Sequence, residues 1–478
     1  MMSGGGGGSP AGPGPALSAR GARIAAAEPG LLDRGFNLHV ADPFDQQRNP
    51  EGIVNLGTSE NRLCFDLIED RVSAALCWLL CCFLTISKRP GNSLAWRKSP
   101  AGLLTVLTAF TRMHDPRTAW MSCSPQVEKP NLVLLNCSNF FIFLNTLDGY
   151  LIPAPHYGGI NSKMWLYGGL QPVHVPLSSE VKTRSCSFGV TAVSHCWFLF
   201  FQGIRVRVLV LINPNNPLGD IYPAQLLKEC LEFAHRHELH VIMDEIYMLS
   251  VYDDITFTSV LSLDSLPDPE RTHFMWGFSK DFGMSGIRVG VLYTRNHAVQ
   301  KAVNQLAVFH SCPGPVQHVL TQILKDRDWL DNVFLPTNKK RLKEAQKLLV
   351  DGLADIGIPV LSSSGGLFVW ADFRKFLKSQ TFEAELELWQ KLLDNKLLIS
   401  PGKAFYCYEP GWFRLVFSDS LWETLILQTM CSNLPIPSQL VNNTSSTADS
   451  CSPEKDSSST PSNAPQDDAS QLKNILVF

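Results

Sequence analysis

A chain of 478 residues, 45% of them apolar, is long enough for two or three domains and a large hydrophobic core. Its formal net charge of −3 gives no argument for a nucleic-acid or membrane-surface partner. The 13 cysteines show neither CxxC nor Cys/His ligand spacing, which argues against a metal site or a disulfide framework and for a reducing, cytoplasmic setting.

Residues 1–30 begin with the Gly/Pro/Ala tract MMSGGGGGSPAGPGPALSAR, which buries too little surface to order itself and lacks the apolar core of a signal peptide. Order is expected from Leu31. Within the segment 31–70, Gly52–Ile68 reads as a short strand, a turn at Gly57 and the start of an amphipathic stretch. The block 71–125 is atypical. Its Val72–Ile86 run is apolar on every face but shorter than the roughly twenty residues that cross a bilayer, so a buried helix is expected.

Regular structure resumes with the strand NLVLL at Asn131, a second over Tyr150–Ile160 that ends in a proline-punctuated loop, and a third over Gly168–Leu177. The stretch 182–202 is rich in cysteine and phenylalanine and shows no amphipathic helix. A strand and turn follow over 205–222, then a helix over 225–239 with Leu226, Leu227, Leu231 and Ala234 on one face, and a strand over 240–252. Residues Thr272–Thr294 read as a strand, a tight glycine-rich turn carrying Ser279 and Lys280, and a second strand from Ile287. A helical pattern over 328–358, interrupted at Pro336, leads into strands at 365–373, 397–405 and 411–418 with a helix at 382–394 between them. The tail 436–478 is polar and is expected to be disordered.

Alternation of apolar strands with helices argues a parallel or mixed α/β sheet. Three of the strands end in unusual polar groups, Asn213–Gly219, Asp244–Tyr247 and Ser279–Lys280. Ligands of open α/β sheets sit at the carboxyl ends of strands, so the three clusters fall on one edge and mark a site.

A lone Ser-Lys pair is more often a surface loop than a site, because an ammonium is costly to bury without a partner. Arg288, eight residues after Lys280, with glycines at 283, 286 and 290, changes that reading. A lysine amine condenses with an aldehyde, and an arginine holds a phosphate bidentately. The pair points to an aldehyde that carries a phosphate, pyridoxal phosphate.

The motifs NPNNPLG, MDEIYMLS, SKDFGMSGIRVG and EPGWFRLVFS together resemble the fold-type I class I/II aminotransferases, and more closely the vertebrate 1-aminocyclopropane-1-carboxylate synthase-like group within them. The resemblance covers about 31–68, 126–136, 150–181 and 205–430. It implies an aspartate aminotransferase-like α/β fold: a large domain (126–335) with a mixed, mostly parallel sheet, and a smaller α+β domain (336–435) joined by the segment 31–70. It also implies a pyridoxal phosphate-dependent transaminase or lyase, acting on an amino acid and assembled as a homodimer, with no metal.

Residue by residue, the resemblance makes Lys280 the Schiff-base lysine and Asp244 the partner of the pyridine nitrogen. Tyr247 and Asn216 fall to the phenolic oxygen of the ring, Tyr157 to its face, and Arg288 with Ser279 to the phosphate. Arg414 falls to the substrate carboxylate; taken by itself, an arginine inside WFRLVF either snorkels to water or meets an anion. Gly57 lets the N-terminal segment close over substrate, and Glu60 matches the active-site glutamate of the family.

The chain also departs from the pattern. Where relatives place a small-residue phosphate-cradling turn, Asn136–Phe141 reads NCSNFF, and Gly277 stands where a phosphate-binding serine is common. The tyrosine-bearing segment within 70–125 and a helix between Val181 and Gly203 are missing. These blocks mark a gene-model or splicing error or a diverged isoform. Two functions follow: an active enzyme on α-amino acids, or a catalytically degenerate paralogue that binds or scaffolds.

Overall fold

Continuous runs of aliphatic residues, buried on both faces, build the central sheet, as expected when helices cover a parallel sheet on either side. The computed structural model describes residues 21, 24–87, 132–135, 148–177, 204–253, 255–310 and 312–419. The unusual stretches at 136–141 and 182–202, and the block 88–125, therefore lie outside the described residues.

A short strand β1 (Val54–Asn55) follows the helix Leu31–Ala41. The strands β2 (Leu132–Leu135), β3 (Gly149–Ala154), β4 (Gln171–Pro176), β5 (Val206–Ile212), β6 (His240–Asp244), β7 (Thr272–Gly277) and β8 (Gly290–Thr294) form one seven-stranded sheet. Its order is β2-β8-β7-β6-β5-β3-β4. The pairs from β7 through β4 are parallel, and β8 runs antiparallel to both its neighbours. The pleat sorts side chains strictly. Leu151, Leu209, Leu211, Val241 and Met243 join one core, whereas Tyr150, Ile152, Val208, Val210 and Ile242 join another on the opposite face. The helix Ala224–Arg236 covers the first of these cores with Leu227, Cys230, Leu231, Phe233 and Ala234.

A second unit is built from β9 (Phe368–Asp372), β10 (Leu397–Leu398), β11 (Ser400–Pro401) and β12 (Trp412–Val416). β12 lies between β11 and β9, antiparallel to both, and β10 pairs in parallel with β1, which ties the N-terminal segment to this unit. Its core takes Leu342, Leu349 and Leu353 from the helix Leu335–Asp355, and Leu388, Trp389 and Leu392 from the helix Phe382–Asp394. Among the described residues, no helix is long and apolar enough to cross a membrane.

Several sequence expectations are corrected. Ser279 and Lys280 sit in a one-turn helix, Phe278–Asp281, rather than in an open glycine turn, and the following strand begins at Gly290 instead of Ile287. The strand expected over 240–252 ends at Asp244, where the chain turns so that Tyr247 and Tyr252 enter the core of the second unit. The apolar run 72–86 is part of a longer helix, Phe65–Ser87; Ala75 is buried but Leu76 faces outward. Pro336 does not break its helix. A π-helical turn, Leu330–Phe334, precedes it, and the wider turn accommodates a ring that has no N–H and crowds the preceding carbonyls. The helix Gly159–Gly168 fills the interval between the second and third expected strands, where its weakly amphipathic sequence carries little periodic signal, and the third strand begins at Gln171 instead of Gly168. The helices His297–His310 and Gly314–Lys325 were likewise unread.

Two contacts lock the turn that carries Lys280. Gly283 adopts φ +62°, and a Cβ there would lie 2.2 Å from the Asn61 carbonyl oxygen, so only glycine fits under the N-terminal segment. Asp281 is fully buried and accepts from Ser250 Oγ (2.6 Å), Trp276 Nε1 (2.7 Å) and the Leu249 N–H (3.2 Å). One carboxylate thus fastens the loop after β6 to the turn after β7. Asp281→Ala leaves two buried donors and one half-buried donor without that acceptor, at about 1–3 kcal/mol for each buried one, and is expected to lower stability by about 3 kcal/mol. Denaturant unfolding measures this; a loss below about 1 kcal/mol would show that water replaces the carboxylate.

Candidate active site

The ends of β5, β6 and β7, neighbours in the sheet, deliver Asn216, Asp244 and Lys280 to one cleft of about 500 Å³. All ten residues singled out in the sequence line it. Gly57 and Glu60 come from the segment after β1, Tyr157 from the loop after β3, and Tyr247 from the turn after Asp244. Ser279 and Arg288 flank Lys280, and Arg414 projects from the middle of β12.

Lys280 Nζ donates to the Ser59 carbonyl oxygen at 2.5 Å. Burial pushes this amine down to about 8; the charge of Arg414 adds to the shift and that of Glu60 opposes it. Burial pushes the Asp244 carboxyl up to about 6, against the Ile246 N–H, which reaches Oδ1 at 3.2 Å, and the charge of Lys163. Tyr247 is buried, its hydroxyl 3.1 Å from Ser59 Oγ, and burial raises its pKa.

Arg414 does not snorkel. Only 3% of it is exposed. Nη1 donates to Asn216 Oδ1 at 3.0 Å and Nη2 to the Gly57 carbonyl oxygen at 2.5 Å. The guanidinium lies over the rings of Phe405 (4.8 Å) and Phe368 (5.1 Å), a cation–π arrangement. Among the described residues its Nε has no acceptor and no carboxylate pairs with it. A full positive charge held by neutral groups alone is a site prepared for an anion.

The remaining residues are placed less tightly. Gly57 and Thr58 both donate their N–H to Asn55 Oδ1 at 3.0 Å, and a Cβ on Gly57 would press on Leu398 Cγ at 3.1 Å. The backbone carbonyl of Glu60 accepts from Ser418 Oγ, and its carboxylate stands 4.0 Å from Arg62 Nη2. Tyr157 keeps 38% of its surface exposed at the cleft wall. Arg288 lies exposed at the mouth in the left-handed region, φ +55°, with Nη1 on the Ser285 carbonyl oxygen. Ser279 accepts from Ser285 Oγ through its own carbonyl oxygen, at 3.0 Å.

Two lining residues escaped the sequence. Ser59, which meets both Lys280 and Tyr247, stands in the N-L-G-T-S-E-N string that drew notice without a role for the serine. Lys163 is carried in by the unread helix after Tyr157, and its charge is felt by both Asp244 and Lys280. The Gly158-Gly159 pair, a helix entry, was the available signal.

Residues 131–426 match the family model for aminotransferase class I and II, and the chain belongs to that family. Similar proteins include the 1-aminocyclopropane-1-carboxylate synthase-like protein 1 of Bos taurus, 46% identical over 400 residues that span 81% of this chain and 77% of that one. The Homo sapiens protein named "Probable inactive 1-aminocyclopropane-1-carboxylate synthase-like protein 2" is 43% identical over 399 residues, 81% of this chain and 68% of that one. Among solved structures, the aspartate aminotransferase of Thermotoga maritima aligns with a TM-score of 0.63 at 18% identity, covering 87% of this chain and 98% of its own. The fold is thus the aspartate aminotransferase-like α/β fold, and the cofactor of the family is pyridoxal phosphate.

The donor set fits that cofactor. A half-buried amine of lowered pKa, a half-buried carboxyl and an exposed aromatic face converge on one cleft with two arginines. The pKa of Lys280 can be read directly. In cofactor-free protein, modification of Lys280 by an amine-directed reagent is expected to rise with a midpoint near pH 8, as its lowered pKa dictates. Peptide mass spectrometry across a pH series gives the midpoint; one at the ordinary lysine value of about 10.4 would contradict the burial. Because the native amine loses its proton first, this group raises stability as pH climbs from about 8 toward the ordinary lysine value.

Proposed function

We propose that this protein is a pyridoxal phosphate-dependent enzyme acting on α-amino acids, with Lys280 Nζ as the amine that condenses with the cofactor aldehyde. The observation that carries the reading is the convergence of a half-buried Lys280 and a buried Arg414 on one cleft, each hydrogen-bonded to neutral groups. Bound there, the cofactor supplies an aldehyde for amines and a ring that accepts electrons from the substrate Cα.

The residues divide the work by position. Asp244, at the end of β6, holds the proton on the pyridine nitrogen; a carboxyl pushed up to about 6 is basic enough to share one. The Tyr247 hydroxyl and the Asn216 amide offer donors to the phenolic oxygen, with Ser59 orienting the tyrosine. Tyr157 covers the ring face, and Ser279 and Arg288 serve the phosphate. Arg414 takes the α-carboxylate and fixes the substrate so that its Cα–H faces Lys280. Lys280, whose amine is substantially neutral near pH 8, accepts that proton and can return it elsewhere. Gly57 lets the N-terminal segment approach the arginine, and Glu60 places a carboxylate beside the lysine. Transamination and elimination or cyclisation both begin with this proton transfer. We take the enzyme to work as a homodimer, as the two-fold assemblies usual for the fold suggest, and in the cytoplasm, the reducing setting to which the spacing of its cysteines points.

One observation favours the second reading, a non-catalytic binding or scaffolding paralogue: two similar proteins, from human and mouse, are named probable inactive. Borohydride reduction of the loaded protein followed by peptide mapping is expected to place the cofactor on Lys280; label elsewhere, or none at saturating cofactor, would remove the assignment. Turnover of any amino acid then separates the two readings.

Arg414→Lys keeps the charge and loses the planar fork. It is expected to weaken amino-acid binding about tenfold to a hundredfold, roughly 1.4–3 kcal/mol, with cofactor loading unchanged. Titrating wild type and variant with candidate amino acids, followed by the change in cofactor absorbance, checks this. Equal affinities would take Arg414 out of the site.

A further inference from the structure

The loop 402–411 joins β11 to β12, and it is fastened at both ends by one side chain. Glu385, fully buried in the helix Phe382–Asp394, accepts the Lys403 N–H on Oε1 at 2.8 Å and the Gly411 N–H on Oε2 at 2.6 Å. Between these anchors the loop faces two ways. Phe405 lies under the Arg414 guanidinium and makes an edge contact with Trp370, 5.7 Å between centroids. Its carbonyl oxygen accepts the His156 N–H at 2.9 Å. The next residue, Tyr406, is held at φ +56° and stacks on the His156 ring at 5.3 Å and 11°.

His156 immediately precedes Tyr157. Its Nδ1 carries the proton, because it faces the Tyr157 carbonyl oxygen at 3.1 Å, and that oxygen can only accept. Its Nε2 is buried without a partner among the described residues, which hold the ring by the Tyr406 stack, by His174 at 5.2 Å, and by the Nδ1 hydrogen bond. Gly158, on the other side of Tyr157, packs against the loop so closely that a Cβ would lie 2.2 Å from the Ala404 carbonyl oxygen. Residues 404–406 therefore grip the chain on both sides of Tyr157 while Phe405 supports Arg414.

We propose that the loop 402–411, clamped by Glu385, is a positioning element that sets Tyr157 and Arg414 relative to each other, with Glu385 and Tyr406 as its positioning residues. The proposal rests on the reading of Tyr157 and Arg414 given above. It adds that two groups from separate units, Tyr157 in the loop after β3 for the ring face and Arg414 in β12 for the substrate carboxylate, are placed by a single short segment. Glu385 touches neither of them. Loosening the clamp releases Tyr406 from His156 and Phe405 from Arg414 together.

Three variants test this. Tyr406→Phe keeps the stack. Tyr406→Asn removes it but keeps a side chain that tolerates the left-handed backbone. Glu385→Gln keeps the shape but leaves one of the two N–H groups facing an amide that cannot accept on its nitrogen. Hydrogen exchange across residues 156–160, in cofactor-free protein, is the deciding measurement, because Glu385 does not touch that segment. It is expected to match wild type in Tyr406→Phe and to rise about tenfold in Tyr406→Asn and Glu385→Gln, the equivalent of about one buried hydrogen bond. Calorimetric titration of the pyridoxal phosphate-loaded protein with L-alanine is expected to show binding weakened by about the same factor in the latter two.

Unchanged exchange across 156–160 in both Tyr406→Asn and Glu385→Gln overturns the proposal. So does raised exchange with undiminished L-alanine affinity, in a protein whose Arg414→Lys variant has lost affinity. If Arg414→Lys leaves affinity intact, the reading of the arginine fails by itself, and the exchange result still decides whether the loop holds Tyr157.

Discussion

Two cations share one buried cleft, and the surrounding structure is arranged to tolerate them. Burial depresses the preference of both for charge, and the charge of Arg414 adds to the shift of Lys280. The hydrogen bonds the fold gives them are to neutral acceptors, with ring faces beside them and the Glu60 charge acting on the lysine: Ser59 and Gly57 offer carbonyl oxygens, Asn216 an amide oxygen, Phe368 and Phe405 their π-faces. A carboxylate hydrogen-bonded to Arg414 would quench the charge that a ligand carboxylate needs. Unpaired cations in the interior raise the free energy of the empty protein, and a carboxylate or phosphate entering the cleft lowers it again.

That arrangement requires the N-terminal segment to reach across from one unit to the other. β1 pairs with β10 in the second unit, and the residues just after it supply Gly57 and Ser59 to the two cations. Asn61 then meets the Lys280 turn, and its amide donates to the buried Asn338 at 2.8 Å. The tight approach at Gly283 is the counterpart on the other side. A segment of about ten residues thus closes the cleft from above.

What the sequence disclosed follows from how local the signals are. Strands buried on both faces leave uninterrupted apolar runs, so β3, β5, β6 and β12 were visible, and with them the three polar strand ends that meet in the cleft. Lys280 and Arg288 stood out by their own chemistry, the roles of the ten singled-out residues came from motif resemblance, and all ten line the same cleft. Ser59 and Lys163 were missed because their importance lies in a neighbour 221 residues away, for Ser59, and in an unread helix, for Lys163. Lys280 was placed in a glycine turn because Gly283 and Gly286 suggest one. The actual helix is a single turn, too short to show a period, and is held by Asp281 rather than by propensity. Glu385 offered no signal at all: in a helical sequence it reads as an ordinary surface glutamate.

The π-helical turn Leu330–Phe334 fixes more than the passage of Pro336. Phe334 stacks on Phe282, two residues past Lys280, at 4.8 Å and 8°, and on Trp329 at 5.2 Å and 26°. A π turn holds one residue more than an α turn, and each residue advances a helix by about 100°. Chain length at this point therefore acts as an angular setting. A single-residue deletion within 330–334 would restore a regular helix and swing everything beyond it by that angle, carrying Leu342 and Leu349 out of the second core or Phe334 away from Phe282. Substitutions here can be absorbed by repacking, but a change in length cannot, so this turn is expected to drift in composition long before it drifts in residue count.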